Sequence, residues 1–160
     1  MNEPSASRAA ELVRGCKVAA LGTLYHGAPS VSMVPYAIIE DPFAFVVLVS
    51  ALSAHTKEML ADPTVALMMM EPETETKPPH TLARVSMQGR AEPISRDDPR
   101  FGAARAAHTA RFPDMVGLFE LGDFTLFAIA PATVRVIAGF AQAASITPAS
   151  IARSVRHTGQ

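Results

Sequence analysis

The apolar residues of this chain come in short runs, and each run is closed within a few residues by proline, glycine or a polar cluster. Phe43 to Ser50 is apolar at almost every position and rich in β-branched and aromatic residues, as expected for a central strand buried on both faces. Thr64 to Met70 reads as a second such strand. Runs this short cannot span a bilayer as helices, and the helices between them are too few and irregular for a βαβ repeat. The pattern predicts a mainly β fold of six or seven short strands, a largely antiparallel barrel with peripheral helices.

The remaining elements follow from local spacing. Glu3 to Arg14 has Ala9, Leu12 and Val13 on one face and Gly15 as a stop, predicting a short helix. Lys17 to Leu24 and Ser30 to Glu40 predict a hairpin turning at Tyr25-His26-Gly27-Ala28-Pro29. In the second strand Ser30, Ser32 and Val34 alternate with Val31, Met33 and Pro35, and the serines are assigned to the solvent face. Ser53 to Ala61 predicts a solvent-facing helix capped by Ser53 and closed by Asp62-Pro63. After the polar, proline-rich loop Glu71 to Pro79 comes a strand over Thr81 to Ile94, with Arg84, Ser86 and Gln88 on one face. A helix over Asp97 to Phe112, a short helix through Leu118 and strands over Asp123 to Ile129 and Ala132 to Phe140 complete the set. No repeat or low-complexity linker divides the 160 residues, so residues 1–160 are expected to form one domain, with its core at about 10–146 and a polar tail over 147–160.

Composition narrows the function classes. Fourteen Lys+Arg against fifteen Asp+Glu give a net charge of −1, which offers no general attraction for nucleic acid. A single cysteine, Cys16, cannot form an intramolecular disulfide, and the first residues lack a basic and apolar leader pattern, so a cytoplasmic, membrane-free location is expected. The five histidines never fall at metal-ligand spacing, and no metal site is expected. Phosphate-loop, dinucleotide-binding and hydrolase-elbow motifs are absent as well. With 49% apolar residues, eight methionines and no tryptophan, the chain carries more apolar residue than a lone domain of this size requires, so part of it is expected to face a partner or a flat ligand.

Two groups of polar residues are candidates for chemistry. Ser50-Ala51-Leu52-Ser53-Ala54-His55-Thr56-Lys57 lies where a buried strand turns into a helix, a place where free N–H groups and polar side chains suit an anion such as a phosphate monoester. The plainer alternative is a strand end, a helix cap and solvated side chains. Arg84 in mid-strand either points inward, where it needs an anionic or carbonyl partner, or outward on a wet sheet face. His108 on an apolar helix face reads as a packing residue, Cys16 as a small buried hydrophobe and Met68-Met69-Met70 as adaptable core or interface.

Pro29 to Tyr36, Val49 to Leu67 and Ala83 to Ala91 together resemble the pyridoxamine 5′-phosphate oxidase-like FMN-binding split barrels, most of all their haem-utilisation branch. The branch is marked by a serine, a leucine two residues on, a histidine–threonine pair and a D-P-x-V step, here Ser50, Leu52, His55-Thr56 and Asp62 to Val65. Asp123 to Phe127 and Val134 to Ala143 are also similar, so the resemblance spans about residues 10 to 146. It implies a six-stranded antiparallel split barrel of the FMN-binding type that forms a homodimer, with FMN in clefts between the subunits and an FMN-dependent oxidoreductase activity on an unidentified substrate. The alternatives it carries are a haem-binding or haem-utilisation protein, a flavin carrier or sensor without turnover, and a deazaflavin in place of FMN.

By the same resemblance Ser50, His55, Thr56 and Lys57 surround the FMN phosphate, with Val49 beside them, and Arg84 and Gln88 reach the cofactor from their strand. Ser30, Val31, Ser32, Met33 and Val34 run along the flavin ring, and Gly139, Phe140 and Gln142 approach the cleft. No residue is singled out as catalytic. Two departures stand out: Glu58 replaces the asparagine expected after the histidine–threonine pair, and the tryptophan and arginine–histidine elements that hold substrate in true pyridoxamine phosphate oxidases are missing.

Overall fold

The computed structural model of the chain describes residues 3–159; Met1, Asn2 and Gln160 of the expected 1–160 unit lie outside them. Helix α1 (Glu3–Gly15) leads into β1 (Val18–Tyr25), β2 (Ala28–Pro35), β3 (Ala37–Glu40) and β4 (Phe43–Ser50). There follow α2 (Ala54–Ala61), β5 (Thr64–Met70), a 3-10 turn at Pro79–Thr81, and β6 (Arg84–Ile94). Helix α3 (Phe101–Arg111), a 3-10 segment at Pro113–Glu120, β7 (Phe124–Ile137), β8 (Ala143–Ile146) and α4 (Pro148–Thr158) complete the chain. Among the described residues no helix is long and apolar enough to cross a membrane.

All the strands belong to one antiparallel sheet in the order β2-β1-β5-β6-β7-β4-β3, with β8 added on β7. The predicted mainly β, antiparallel architecture is therefore observed, but with eight strands among the described residues, and the sheet does not close into a six-stranded barrel. Its two end strands, β2 and β3, are consecutive in the chain and joined through Tyr36 alone, so the sheet must roll and bring its ends toward each other. Tyr36 is fully buried at this seam; its hydroxyl donates to the Val13 carbonyl at 2.6 Å and its ring stacks edge-on against Phe45. The roll encloses one core, in which α1 and α4 pack with Leu21, Phe45, Leu67, Val85 and Phe127. A second core forms on the opposite side of β3, β4 and β7, where α3 and the 113–120 segment cover Ile39, Val46, Leu48 and Leu126.

Several elements differ from expectation for identifiable reasons. The strand over Ser30 to Glu40 divides at Tyr36 into β2 and β3, which occupy opposite ends of the sheet. The two strands expected at 123–129 and 132–140 are one, β7: Pro131, which cannot donate a ladder hydrogen bond, sits at an irregularity where Gln88 pairs with Thr133 but Gly89 with Pro131, leaving Ala132 as the extra residue. Gly89 permits this crossing, because a Cβ there would lie 2.4 Å from the Ala130 carbonyl oxygen. Helix α3 begins at Phe101 and not Asp97, since Pro99 keeps Asp98 out of the α region and Asp98 instead accepts from the Arg100 backbone and guanidinium. The tail expected at 147–160 is mostly helix: Thr147 caps α4, Pro148 opens it, and Ile151, Ala152 and Val155 are buried.

Candidate ligand site on the outer sheet face

The β1–β2 hairpin turns at His26-Gly27 with φ of 48° and 80°, the left-handed pair that a two-residue turn of this kind requires. This sets Thr23 opposite Ser30 and Gly22 opposite Val31. The outcome for β2 is the reverse of the expected facing: Ser30 and Ser32 turn toward the interior, while Val31 and Met33 stand outward at 79% and 62% exposure. Polar partners inside the roll account for the serines. Ser30 Oγ donates to Glu58 Oε1 at 3.3 Å, and the same carboxylate, buried on α2, accepts from the buried Thr23 hydroxyl. Helix α2 is thus tied to the β1–β2 hairpin by Glu58 and is not the purely solvent-facing helix expected; Thr56 and Met59 are buried as well.

Outward residues of neighbouring strands line up in rows across the sheet. One row runs Met33, Ala20, Met68, Ser86, Arg135; the next runs Val31, Gly22, Ala66, Gln88, Thr133. Glycine and alanine in the middle of these rows leave a depression between bulkier neighbours. Two adjoining grooves result, of about 920 and 910 Å³, which share Ala20, Val31 and Met68. The first extends to Arg135 and Thr133 and the second to Cys16 and Met70. Cys16 is half-buried, its thiol donating to the Met70 carbonyl at 3.3 Å, and burial pushes that thiol above its usual range.

Cations edge this surface. Arg84 and Arg135 lie on adjacent strands, Arg135 opposite Ser86 and Arg84 two residues before it, so their Cα atoms are diagonal neighbours roughly 7–8 Å apart. Arg84 is on the outward face of the two readings considered for it and donates to the Leu82 carbonyl at 2.8 Å. Among the described residues neither arginine forms an ion pair. Gln88 is exposed and accepts from Thr133 Oγ1 at 3.3 Å.

The remaining predicted residues gather elsewhere. Val34 and Val49 are core residues. Ser50 ends β4 and its Oγ accepts from the Leu52 N–H at 3.1 Å, so that oxygen is engaged locally. Thr56 is 2% exposed, and its hydroxyl, like that of Ser32, is buried without a protein partner. His55 is half-buried, with burial lowering its pKa against the raising effect of Glu58, while Lys57 is exposed. Of the four residues expected around a phosphate, then, His55 and Lys57 present side chains that are not fully buried, Ser50 keeps its O–H free to donate while its oxygen accepts from Leu52, Thr56 is buried, and the Glu58 carboxylate lies one turn away. Phe140 stands at the β7–β8 turn, 74% exposed and edge-on to His80, where Gly139 and Ala141 adopt φ of 156° and 57°. Reading the sequence by strand missed Gly22, Ala66, Met68, Thr133 and Arg135, which acquire meaning only through cross-strand alignment.

A rolled, open antiparallel sheet carrying a broad groove on its outer face defines a split-barrel protein. The chain belongs to the pyridoxamine 5′-phosphate oxidase family, whose model matches residues 6–138. It is 30% identical over 122 residues to heme oxygenase HutZ of Vibrio cholerae, covering 76% of this chain and 68% of that protein. The structure of HutZ, described there as a heme storage protein, superposes with a TM-score of 0.69. A non-canonical chloroplastic heme oxygenase of Arabidopsis thaliana, HOZ, is 35% identical over 120 residues, covering 74% of this chain and 35% of its own length. A heme binding protein from Mycobacterium smegmatis superposes with a TM-score of 0.83 at 28% identity, covering 93% of this chain. The chain spans 60% of the length of that structure.

Proposed function

We propose that this chain is a haem-binding protein of the haem-utilisation type, which holds the macrocycle against the outer face of β1, β5, β6 and β7. The observation that carries this reading is a small-residue floor, Ala20, Gly22 and Ala66, in a groove that reaches Arg135, with Arg84 diagonally across from Arg135 on the next strand and neither arginine in an ion pair among the described residues. Haem is flat, apolar and bears two carboxylates. Arg84 and Arg135 supply the fork-shaped donors that carboxylates prefer, Met68 supplies adaptable apolar contact, and the Gln88 amide supplies a neutral donor. The names carried by HutZ, HOZ and the mycobacterial protein support the same ligand class. A second copy of the chain covers the exposed Val31 and Met33, making the working unit a homodimer, and the single cysteine suits a reducing, cytoplasmic setting.

A flavin-dependent oxidoreductase is the second reading, supported by family membership and by His55 and Lys57 at the start of α2. Spectroscopic titration of the purified protein with haem and, separately, with FMN separates the two. A haem Soret band that shifts and saturates, with affinity about tenfold weaker in Arg135→Ala, is the expected outcome. Saturable FMN binding with no haem Soret shift overturns the haem reading. Adding ascorbate in air to the haem complex then distinguishes storage, in which the Soret band persists, from breakdown of the porphyrin.

A further inference from the structure

His108 is fully buried on α3, and neither Nδ1 nor Nε2 has a hydrogen-bond partner among the described residues. Its ring packs between Phe112 and Phe119, with centroids 5.2 and 5.8 Å away, at the point where α3 and the 113–120 segment meet. The surface beneath is apolar: β3 contributes Ile39, β4 contributes Val46 and Leu48, and β7 contributes Leu126 and Ala128. A neutral imidazole fits this place at the cost of its own hydrogen bonds; an imidazolium requires a partner or water.

The charged groups of every element packed against His108 offer no compensation. On α3 itself the charges are cationic. The Arg105 guanidinium lies 4.8 Å from the Phe119 centroid and pairs with Glu120, and Arg111 lies over Tyr36 and Phe112. From the 113–120 segment come Glu120, already paired, and the exposed Asp114; from β3 comes Glu40, paired with Arg14. β4 has no ionisable side chain, and the one in β7, Arg135, stands on the outer face beyond the seam with β6. No carboxylate is hydrogen-bonded to the ring.

We propose that His108 makes α3 and the 113–120 segment an acid-released layer, docked on the sheet while the imidazole is neutral and detached when it takes a proton. The link reaches further along α3. One turn on, Arg111 donates to the Cys16 carbonyl and, at 3.3 Å, to the Arg14 carbonyl, closing the end of α1, so detachment of α3 also frees the junction that leads into β1. This inference does not depend on which ligand the outer face binds.

Burial holds the His108 pKa below the ordinary 6.5. The docked state is therefore fully favoured above about pH 6.5 and weakens as the pH falls, by up to tenfold in the opening equilibrium per pH unit until the folded-state pKa is reached. Amide hydrogen exchange of the ligand-free protein at pH 7.5 and 5.5, corrected for the intrinsic pH dependence, tests this. Residues 101–120 are expected to lose about tenfold protection relative to β5 and β6, and His108→Phe is expected to abolish the difference. Equal loss in His108→Phe, or none in the native protein, overturns the proposal. Should His108→Phe not fold, an NMR titration of the native imidazole decides: protonation coincident with loss of α3 protection supports the proposal, and protonation near pH 6.5 with α3 still protected overturns it.

Discussion

Thr23, Ser30 and Glu58 show how a single buried carboxylate organises its surroundings. The carboxylate has left water, and its two hydroxyl donors come from consecutive strands of one hairpin, so a helix and a turn are fastened through one side chain. Thr23→Val retains the shape but removes a donor from a buried acceptor, and is expected to cost about 1–3 kcal/mol, read as a lowered denaturation midpoint at unchanged slope. At Gly89 the constraint is steric. Any Cβ meets the Ala130 backbone, so Gly89→Ala forces β6 and β7 apart and is expected to cost about 1–3 kcal/mol in the same measurement. The two effects differ in kind: the first is relieved by Thr23→Ser, which restores a hydroxyl, and the second by no residue with a side chain. Glycine at 89 was visible in the sequence, but its reason was not, because the close approach comes from a strand some forty positions away.

Among the elements, those with a strong internal signal were legible before the structure: β4 as a doubly buried strand, and Arg84, Ser86 and Gln88 as one face of β6, though not which face; β5 was legible as a strand, but it alternates, with Ala66 and Met68 turned to the outer groove and not buried on both faces as expected. Strand β2 shows the boundary of such reading. The alternation Ser-Val-Ser-Met establishes two faces but not which is inside, and here the interior already held Glu58 and Thr23 as partners for serine. Helix α4 had a signal that its polar composition hid, namely a Thr-Pro start and Ile151, Ala152 and Val155 on one stripe. Its role is to pack with α1 over one end of the core, where the Arg14 guanidinium donates to the Val155 carbonyl at 2.9 Å. Ile151→Ala, at a fully buried site, is expected to destabilise by about 2–4 kcal/mol, whereas the exposed Arg153→Ala is expected to stay within about 0.5 kcal/mol, as thermal denaturation will report.

At the scale of the whole molecule, the apolar excess noted in the composition has an address. It lies in part on the outer face of β1, β2 and β5, where Val18, Val31 and Met33 are exposed together. If the chain forms the proposed homodimer through this face, the double substitution Val31→Asp with Met33→Asp converts it to a monomer by sedimentation without loss of fold, while leaving Arg84 and Arg135 in place. The candidate site was only half legible for a related reason: its residues come from several strands, and their neighbourhood exists only once the sheet is aligned. The seam at Tyr36 carries one more consequence. An open sheet presents two unpaired edges, each a template on which a strand from another chain can grow. Because β2 and β3 are joined by one residue, the roll brings those edges toward each other, with β2 approaching β4, and each hinders access to the other. The incomplete closure of this barrel thereby guards against edge-to-edge aggregation, with Tyr36 as the clasp.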